Sequence, residues 1–588
     1  LGLDSRPEAY LEMVPWEVLA NINHSFLLSE QKRKFLRYVG GLMFIEISVP
    51  ASFKNNKLAG ERLGLSHDAI SYWDIHIKED IRHGQWMLND VALPLIEKYP
   101  ENAWEIVKGY DQQKLLLKHG YEEGGLKLTS TLGLSNLNQE TAGYLGGFEA
   151  YKDSELRQTN PNPEAYRDAQ SLRLATQIER VLDESSHVQV TPYIRYTDMA
   201  FLQHFLPGNP LEENSHKSLG VQSAYYYESD GGVSWVAGVD VEFTDGELTQ
   251  SQEAPTQGSL FLQTTIPAGL HYDYQVDALM LAPFAQASFN LSDALSMTAG
   301  LRYENMDYDY TNRMIAGRTN DQGETCGFGG CRYSRPEDRS DRFGNWSPKL
   351  ALLYQVSDSQ QVYVNASRGF RAPQATELYR LQREQSLADL DSVAMDSLEL
   401  GLRGRSEQMS YELIAFWMNK KNVIFRDSDF FNVANGETRH KGLELAGTYR
   451  FSDQLDLALS TTYADHQYED DRLIGGVAID GNQIDSAPKH FSNVRLAWTF
   501  LNGARAELEW LSQAEYYTDP ENEHRYSGHD LLNLRGQWAL SDSLTLRAQI
   551  KNLSDRLYAE RADYSGFTGD RYFPGARRTL NIGVEFRL

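Results

Sequence analysis

A large antiparallel β-barrel that crosses a membrane, preceded by a short all-helical segment, is the fold the sequence predicts. Three observations predict it. The chain has 588 residues, 41% of them hydrophobic and 11% aromatic, yet no run approaches the ~18 consecutive apolar residues of a spanning helix. From about residue 110 onward apolar residues recur with a period of two. The connections between these alternating segments are short and long by turns, as in a barrel with a turn rim and a loop rim.

The first part has a different period. Between about residues 7 and 109 the apolar spacing is helical: Tyr10, Leu11, Val14 and Val18, then Phe35, Tyr38 and Val39, then Ile70, Trp73, Ile77 and Ile81. Ser66 is a candidate N-cap, and Pro50 ends the apolar segment 41–49. The chain therefore divides into a helical unit, 1–109, and a strand unit, 110–588.

The formal charge is −26, from 56 basic and 82 acidic residues. This is opposite in sign to a nucleic-acid-binding surface, and no nucleic-acid partner is expected. Residues 1–109 carry 12 basic and 15 acidic residues, so the acidity belongs to the second unit.

Alternation is clearest in Leu126/Leu128/Ser130/Leu132/Leu134, Leu398/Leu400/Leu402, Leu443/Leu445/Gly447/Tyr449/Phe451 and Leu580/Ile582/Val584/Phe586/Leu588. Tight turns are expected at 122–125, 183–186, 229–232, 292–293, 357–359, 406–408, 452–454, 502–503 and 541–543. Nine turns pair eighteen strands, and the closing strand makes about nineteen. In that last strand Leu580, Ile582, Val584 and Phe586 would face lipid, while Asn581, Gly583, Glu585 and Arg587 face the lumen. A soluble propeller or sandwich would also alternate, so periodicity alone leaves it open.

Cys326 and Cys331, the only two cysteines, stand in a long loop with glycines between them that let the chain fold back. A small disulfide is expected; two free thiols or a metal pair are the alternatives. In the helical unit, offsets of four and seven place His76, Asp80 and His83 on one helical face, and Glu46 lies on a neighbouring helix. Two imidazoles and two carboxylates inside a helical bundle suit a redox iron. The rival is a helix whose His and Asp residues face solvent.

Several blocks, in order, resemble the C-terminal barrel of TonB-dependent receptors: residues 362–373 with Arg368, Phe370, Arg371 and Pro373, residues 398–401, residues 438–444 with His440, Gly442 and Glu444, residues 551–558 with Asn552 and Tyr558, and residues 571–577 with Pro574 and Gly575. The resemblance covers roughly 110–588. It implies a Gram-negative outer-membrane transporter for ferric siderophores or similar scarce ligands, which performs no bond chemistry and needs no cofactor. The partners it implies are lipid and lipopolysaccharide, the barrel-assembly machinery, and TonB. Such receptors usually have 22 strands, a plug domain and a TonB-binding segment; about nineteen strands, no plug and no such segment are expected here. The first strand would descend from the outside, placing residues 1–109 at the outer rim. The segment Met199 to His216 also resembles a block of these receptors, and His204, Glu212, Glu213 and His216 are its ligand-loop candidates.

The Glu followed by His-x-x-x-Asp-x-x-His resembles the haem-oxygenase-like di-iron oxidases, or iron-containing redox enzymes, over roughly residues 5–115. That family's first ligand helices would precede residue 1, so at most one iron and no catalysis are expected. Gly109-Tyr-Asp-Gln-Gln-Lys114 fits the end of one family and the start of the other, which implies two coding sequences joined through one hexapeptide. The rival functions are an iron oxidase with a barrel as anchor and a passive pore.

Overall fold

The computed structural model describes residue 57, residues 86–98, and residues 114–586 apart from 230, 383–384, 386–388, 427–431, 472, 475, 502 and 542. Within the first unit, residues 87–98 form two consecutive helical stretches, Met87–Ala92 and Leu93–Lys98. The rest is dominated by one sheet of 19 strands.

In chain order these are β1 (Lys114–Glu123), β2 (Leu126–Glu140), β3 (Tyr166–Asp183), β4 (Ser186–Leu202), β5 (Leu211–Glu228), β6 (Val233–Gln252) and β7 (Gly269–Asn290). There follow β8 (Leu295–Asn312), β9 (Arg339–Ser357), β10 (Gln360–Arg371), β11 (Val393–Arg405), β12 (Met409–Arg426) and β13 (Asn432–Ser452). The sheet ends with β14 (Leu455–Tyr468), β15 (His490–Leu501), β16 (Ala504–Gln513), β17 (His529–Ser541), β18 (Leu544–Lys551) and β19 (Thr579–Phe586). Every strand pairs antiparallel with the next, from β1·β2 through β18·β19. All nine expected turns join hairpins at one rim, and longer connections join them at the other. Lys114 opens β1 at the long-loop rim, opposite Ser135. Among the described residues, no ladder joins β1 to β19.

The first turn shows why short connections suffice on one rim. Glu123 pairs with Leu126, and the two residues between them, Gly124 and Gly125, both have positive φ, 55° and 78°. Such a backbone matches the twist of the flanking strands and is open mainly to glycine.

Strand parity sorts the side chains. Leu398, Leu400 and Trp417 point outward with 53%, 51% and 52% of their surface exposed, as do Leu443, Leu580, Ile582 and Val584. A water-soluble surface would not leave so large a contiguous apolar area uncovered. Aromatic residues bound this band. Trp235 and Phe243 on β6, and Tyr354 and Trp346 on β9, mark its two edges, each pair eight residues apart. At ~3.3 Å per residue and a tilt near 40°, eight residues span about 20 Å of membrane thickness, close to the ~25 Å apolar belt of outer-membrane barrels. One row above, outward side chains turn charged: Arg368 pairs with Asp396 at 2.6 Å, and Asp465 with Lys489 at 3.5 Å and Lys441 at 3.8 Å.

The inner face is polar along its length. Arg302 reaches Asp240 at 2.7 Å, Arg535 holds both Glu507 and Glu509 at 2.9 Å, and Arg505 meets Asp456 at 2.6 Å. Near the turn rim a cavity of about 750 Å³ opens in this wall beside Gln361, Arg403, Glu412 and Arg495. Tyrosines pack flat over glycines of the facing strand. A Cβ on Gly401 would lie 2.1 Å from the Tyr363 ring, and one on Gly220 would lie 2.3 Å from the Tyr193 ring. These directly opposed pairs fix register as well as filling space.

Leu400→Arg, at mid-height on the lipid side, is expected to destabilise the folded chain by about 2–4 kcal/mol. Glu399→Gln, one residue away on the lumen side, should change it by less than about 0.5 kcal/mol. Denaturant titration in lipid vesicles, read by the heat-modifiable mobility of the folded form, measures both.

Candidate functional site

The long connections fold inward and pack on one another, and the strands that extend beyond the apolar band carry the residues they meet. Two clusters result. Over β6–β8, the inward side chains of Leu248, Tyr272, Tyr274, Val276 and Tyr310 bury Leu378, Tyr379, Leu381 and Leu390 from the β10–β11 connection. Tyr379 stacks on Tyr310 with ring centres 4.2 Å apart and donates to Asp341 at 2.8 Å, while Tyr272 donates to the Leu381 carbonyl at 2.7 Å. Burial pushes the Tyr379 and Tyr310 phenols well above their ordinary range and Tyr333 up to about 12. These phenols therefore stay neutral; Tyr379 donates its hydrogen bond, and all three rings serve as apolar walls.

The β8–β9 connection joins this cluster through its disulfide, Cys326–Cys331, whose Cα atoms are 4.8 Å apart. Arg335 pins the same loop from inside. Its side chain is fully buried, and its guanidinium donates to the carbonyls of Ile315 (2.8 Å), His271 (2.8 Å) and Thr319 (2.7 Å). One planar five-donor group thus satisfies three stretches of backbone at once.

The second cluster lies over β14–β19. Leu145, Ala150 and Tyr151 of the β2–β3 connection pack with Tyr516, Tyr526, Ala559, Ala562 and Tyr572. Beside it, Tyr468 donates to Asp485 at 2.6 Å. Burial raises the Asp485 carboxyl above its ordinary range, and Asp519 and Asp563 push it the same way. One side-chain oxygen or nitrogen from each of Asp519, Glu523 and His524 lies within 4.8 Å of the others. Asp519 accepts from the Glu523 and His524 amides at 3.2 and 2.9 Å and contacts the His524 ring at 3.1 Å, so its oxygens brace the turn 519–524. The sequence reading missed this group, although Asp519-Pro-Glu-Asn-Glu-His524 is a visible turn signal.

The expected ligand loop 199–216 is corrected. Residues 199–202 belong to β4 and 211–216 to β5, leaving only 203–210 as a loop. The reason is strand extension beyond the membrane, where polar residues no longer mark a loop. His204 lies in that loop with its ring edge toward Phe205. By parity Glu212 and His216 face inward and Glu213 outward, so the four do not form one site. Glu212 is instead buried in a polar knot: Arg380 binds it at 2.5 Å and Gln203 at 2.6 Å, while Arg380 and Gln250 each donate to Gln203 at 2.7 Å. Arg380 belongs to the connection after β10, so this knot ties that loop across to the start of β5.

The family-type residues serve mainly as scaffold. Arg371 clasps Glu377 at 2.8 and 3.0 Å, and Glu377 caps the Gln374 amide at 2.7 Å, launching the helix Ala375–Tyr379 behind buried Pro373. Phe370 precedes it in β10. Asn552, at φ 50°, accepts from the Arg556 amide at 2.8 Å and donates to the Ala576 carbonyl at 3.1 Å. The Tyr558 ring lies over Gly575, next to Pro574, where a Cβ would come within 2.1 Å. On β13 Gly442 is equally enclosed, its missing Cβ 2.4 Å from the Tyr463 carbonyl and 2.8 Å from the Phe416 ring. Glu444 and His440 share its inward face. His440 and the facing His466 bring their Nδ1 atoms to 2.8 Å. Burial, reinforced by Lys420 and His466, holds His440 down, to about 4, and burial lowers His466 as well. Glu46, His76, Asp80 and His83 lie outside the described residues.

Comparison with known proteins gives two matches that overlap at 109–114. Residues 109–553 match "TonB dependent receptor-like, beta-barrel" and residues 1–114 match "Iron-containing redox enzyme". The metal-pseudopaline receptor CntO of Pseudomonas aeruginosa is 25% identical over 247 residues, 40% of this chain and 33% of that protein. The ferric aerobactin receptor of Escherichia coli is 22% identical over 366 residues, 58% of this chain and 47% of that one. The chain thus spans about a third to a half of the length of these relatives. Among solved structures, the unliganded ferric citrate transporter FecA superposes with a TM-score of 0.65 at 17% identity, covering 80% of this chain and 69% of that one.

Arg380→Ala is expected to leave a buried carboxylate without its cation, a loss of about 3–5 kcal/mol to the knot, and to open residues 372–392 to protease; adding Glu212→Gln should return part of the protection. Asp485→Asn keeps the Tyr468 hydrogen bond and removes a carboxyl whose folded pKa is raised. The protonated carboxyl is favoured in the folded state, so its stabilising effect is complete at acid pH and is lost as pH rises through that elevated pKa. The variant should therefore match the parent near pH 4 and protect the loops better at pH 7, as read by hydrogen exchange.

Proposed function

The chain belongs to the TonB dependent receptor-like β-barrel family, proteins of the Gram-negative outer membrane, and on that premise we propose that it carries a metal complex of the siderophore type inward, energised through TonB. The observation that carries this reading is a barrel-type sheet of nineteen strands, apolar on its outward face and charged on its inward face, whose outer mouth is built from braced, aromatic-rich connections. Such a mouth offers a bulky ligand a rim held in shape from within by its buried rings, and a polar lumen offers it a path. The receptors for metal–pseudopaline and ferric aerobactin support the cargo class. The barrel makes and breaks no covalent bonds of its cargo in this role; its residues capture and conduct.

The match of residues 1–114 to iron-containing redox enzymes favours a second reading, an oxygen-consuming protein anchored by the barrel. Both are tested in one strain that lacks its own siderophore receptors. Uptake of radiolabelled ferric complexes that appears with this chain and vanishes when TonB is deleted supports transport. Steady conductance in planar bilayers together with TonB-independent uptake makes it a passive pore, and bound iron with oxygen uptake by the purified chain establishes the second reading.

A further inference from the structure

Two imidazoles meet on the lumen wall just above the apolar band. His440 on β13 and His466 on β14 are directly opposed in register, and by parity both face inward. Their rings stand 5.0 Å apart at 58°, with Nδ1 atoms 2.8 Å apart. Two nitrogens bound to one metal at ~2.0–2.1 Å and ~90° are separated by about 2.8–3.0 Å, so the pair already has the spacing of adjacent positions on one metal ion. The Thr438 hydroxyl lies 3.0 Å from His440 Nε2. It can accept the Nε2 proton and so direct the Nδ1 lone pair toward His466.

The surroundings select the form of the metal. Met418 of β12 is paired with His440, and Lys420 with Thr438, on the same inward face. An ammonium beside the pair repels a bare cation and attracts an anionic complex. Two imidazoles also leave most of a metal's coordination sphere to be supplied by something else. Gly442, two residues along the same face, lets the Phe416 ring lie close beneath the pair.

We propose that His440 and His466 form a docking site for an anionic metal chelate that has two adjacent exchangeable positions. Binding is ligand exchange: two waters leave the metal, two metal–nitrogen bonds form through Nδ1, and the proton shared between the rings moves to Nε2 of His466. No oxidant or reductant is involved. This rests on the reading of the cargo as a metal complex, and it names where that complex is first held by the protein's own nitrogens.

The test uses the full chain in detergent, without a histidine tag, and Ni(II)–nitrilotriacetate as probe, an anionic chelate with two open adjacent positions. Saturable binding is expected, weakened at least tenfold in His440→Gln and in His466→Gln, and weakened severalfold in Lys420→Gln. Ni(II)–EDTA, which has no open positions, should not bind at the same concentration. On the unmodified chain, Cu(II)–iminodiacetate should show electron-spin splitting from two imidazole nitrogens that is lost in the double glutamine variant. Equal binding of the two nickel chelates, or double-variant binding and splitting equal to the parent's, overturns the proposal. Because binding is read without TonB or a membrane, loss of transport alone leaves it standing, and loss of binding leaves the transport reading standing.

Discussion

A backbone amide in hydrocarbon has no water to turn to, and from that constraint the rest of this molecule follows. Eighteen successive antiparallel ladders satisfy the donors and acceptors of the seventeen inner strands without any help from side chains, and among the described residues β1 and β19 are each paired on one side. Once the backbone is satisfied within the sheet, side chains are free to alternate. The outward row becomes apolar between two aromatic edges, and the inward row becomes a lattice of arginines and carboxylates. The two faces are answers to two solvents, and a one-residue slip of any strand would exchange them.

Above the membrane the constraint relaxes and a different economy takes over. The strands continue well past the apolar band, and the connections must satisfy their own backbones in an irregular path. Arg335 does so for three segments with one buried guanidinium, and Asp519 does so for a single turn. The knot of Arg380, Glu212, Gln203 and Gln250 ties the loop after β10 to the start of β5, residues 168 apart in the chain. The outer mouth is therefore a packed body, and its shape is set by long-range polar contacts as much as by the tyrosine clusters.

Much of the barrel was legible along the chain because alternation and turn chemistry are local. Every one of the nine tight turns falls where Gly, Asn, Asp or Ser clusters interrupt the alternation, and the last strand presents Leu580, Ile582, Val584 and Phe586 outward as its pattern requires. The loop at 199–216 was misjudged for a physical reason. Outside the membrane a strand is no longer apolar on one side, so Glu-Glu-Asn-Ser-His, polar at every position, carries no period to read. Scaffold roles were equally hidden: Glu212 looked like a ligand because nothing near it in sequence announces Arg380.

The sequence by itself determined which residues alternate, where the chain turns, that two families meet at 109–114, and that two cysteines five residues apart could close a small loop. Each of these is a property of neighbours along the chain. Only the tertiary structure decided that His440 faces His466, that Phe416 lies over Gly442, and that the connection after β10 folds back to β5. Those depend on register between strands and on the path of irregular loops, which are settled by the summed packing and hydrogen bonding of segments far apart in sequence.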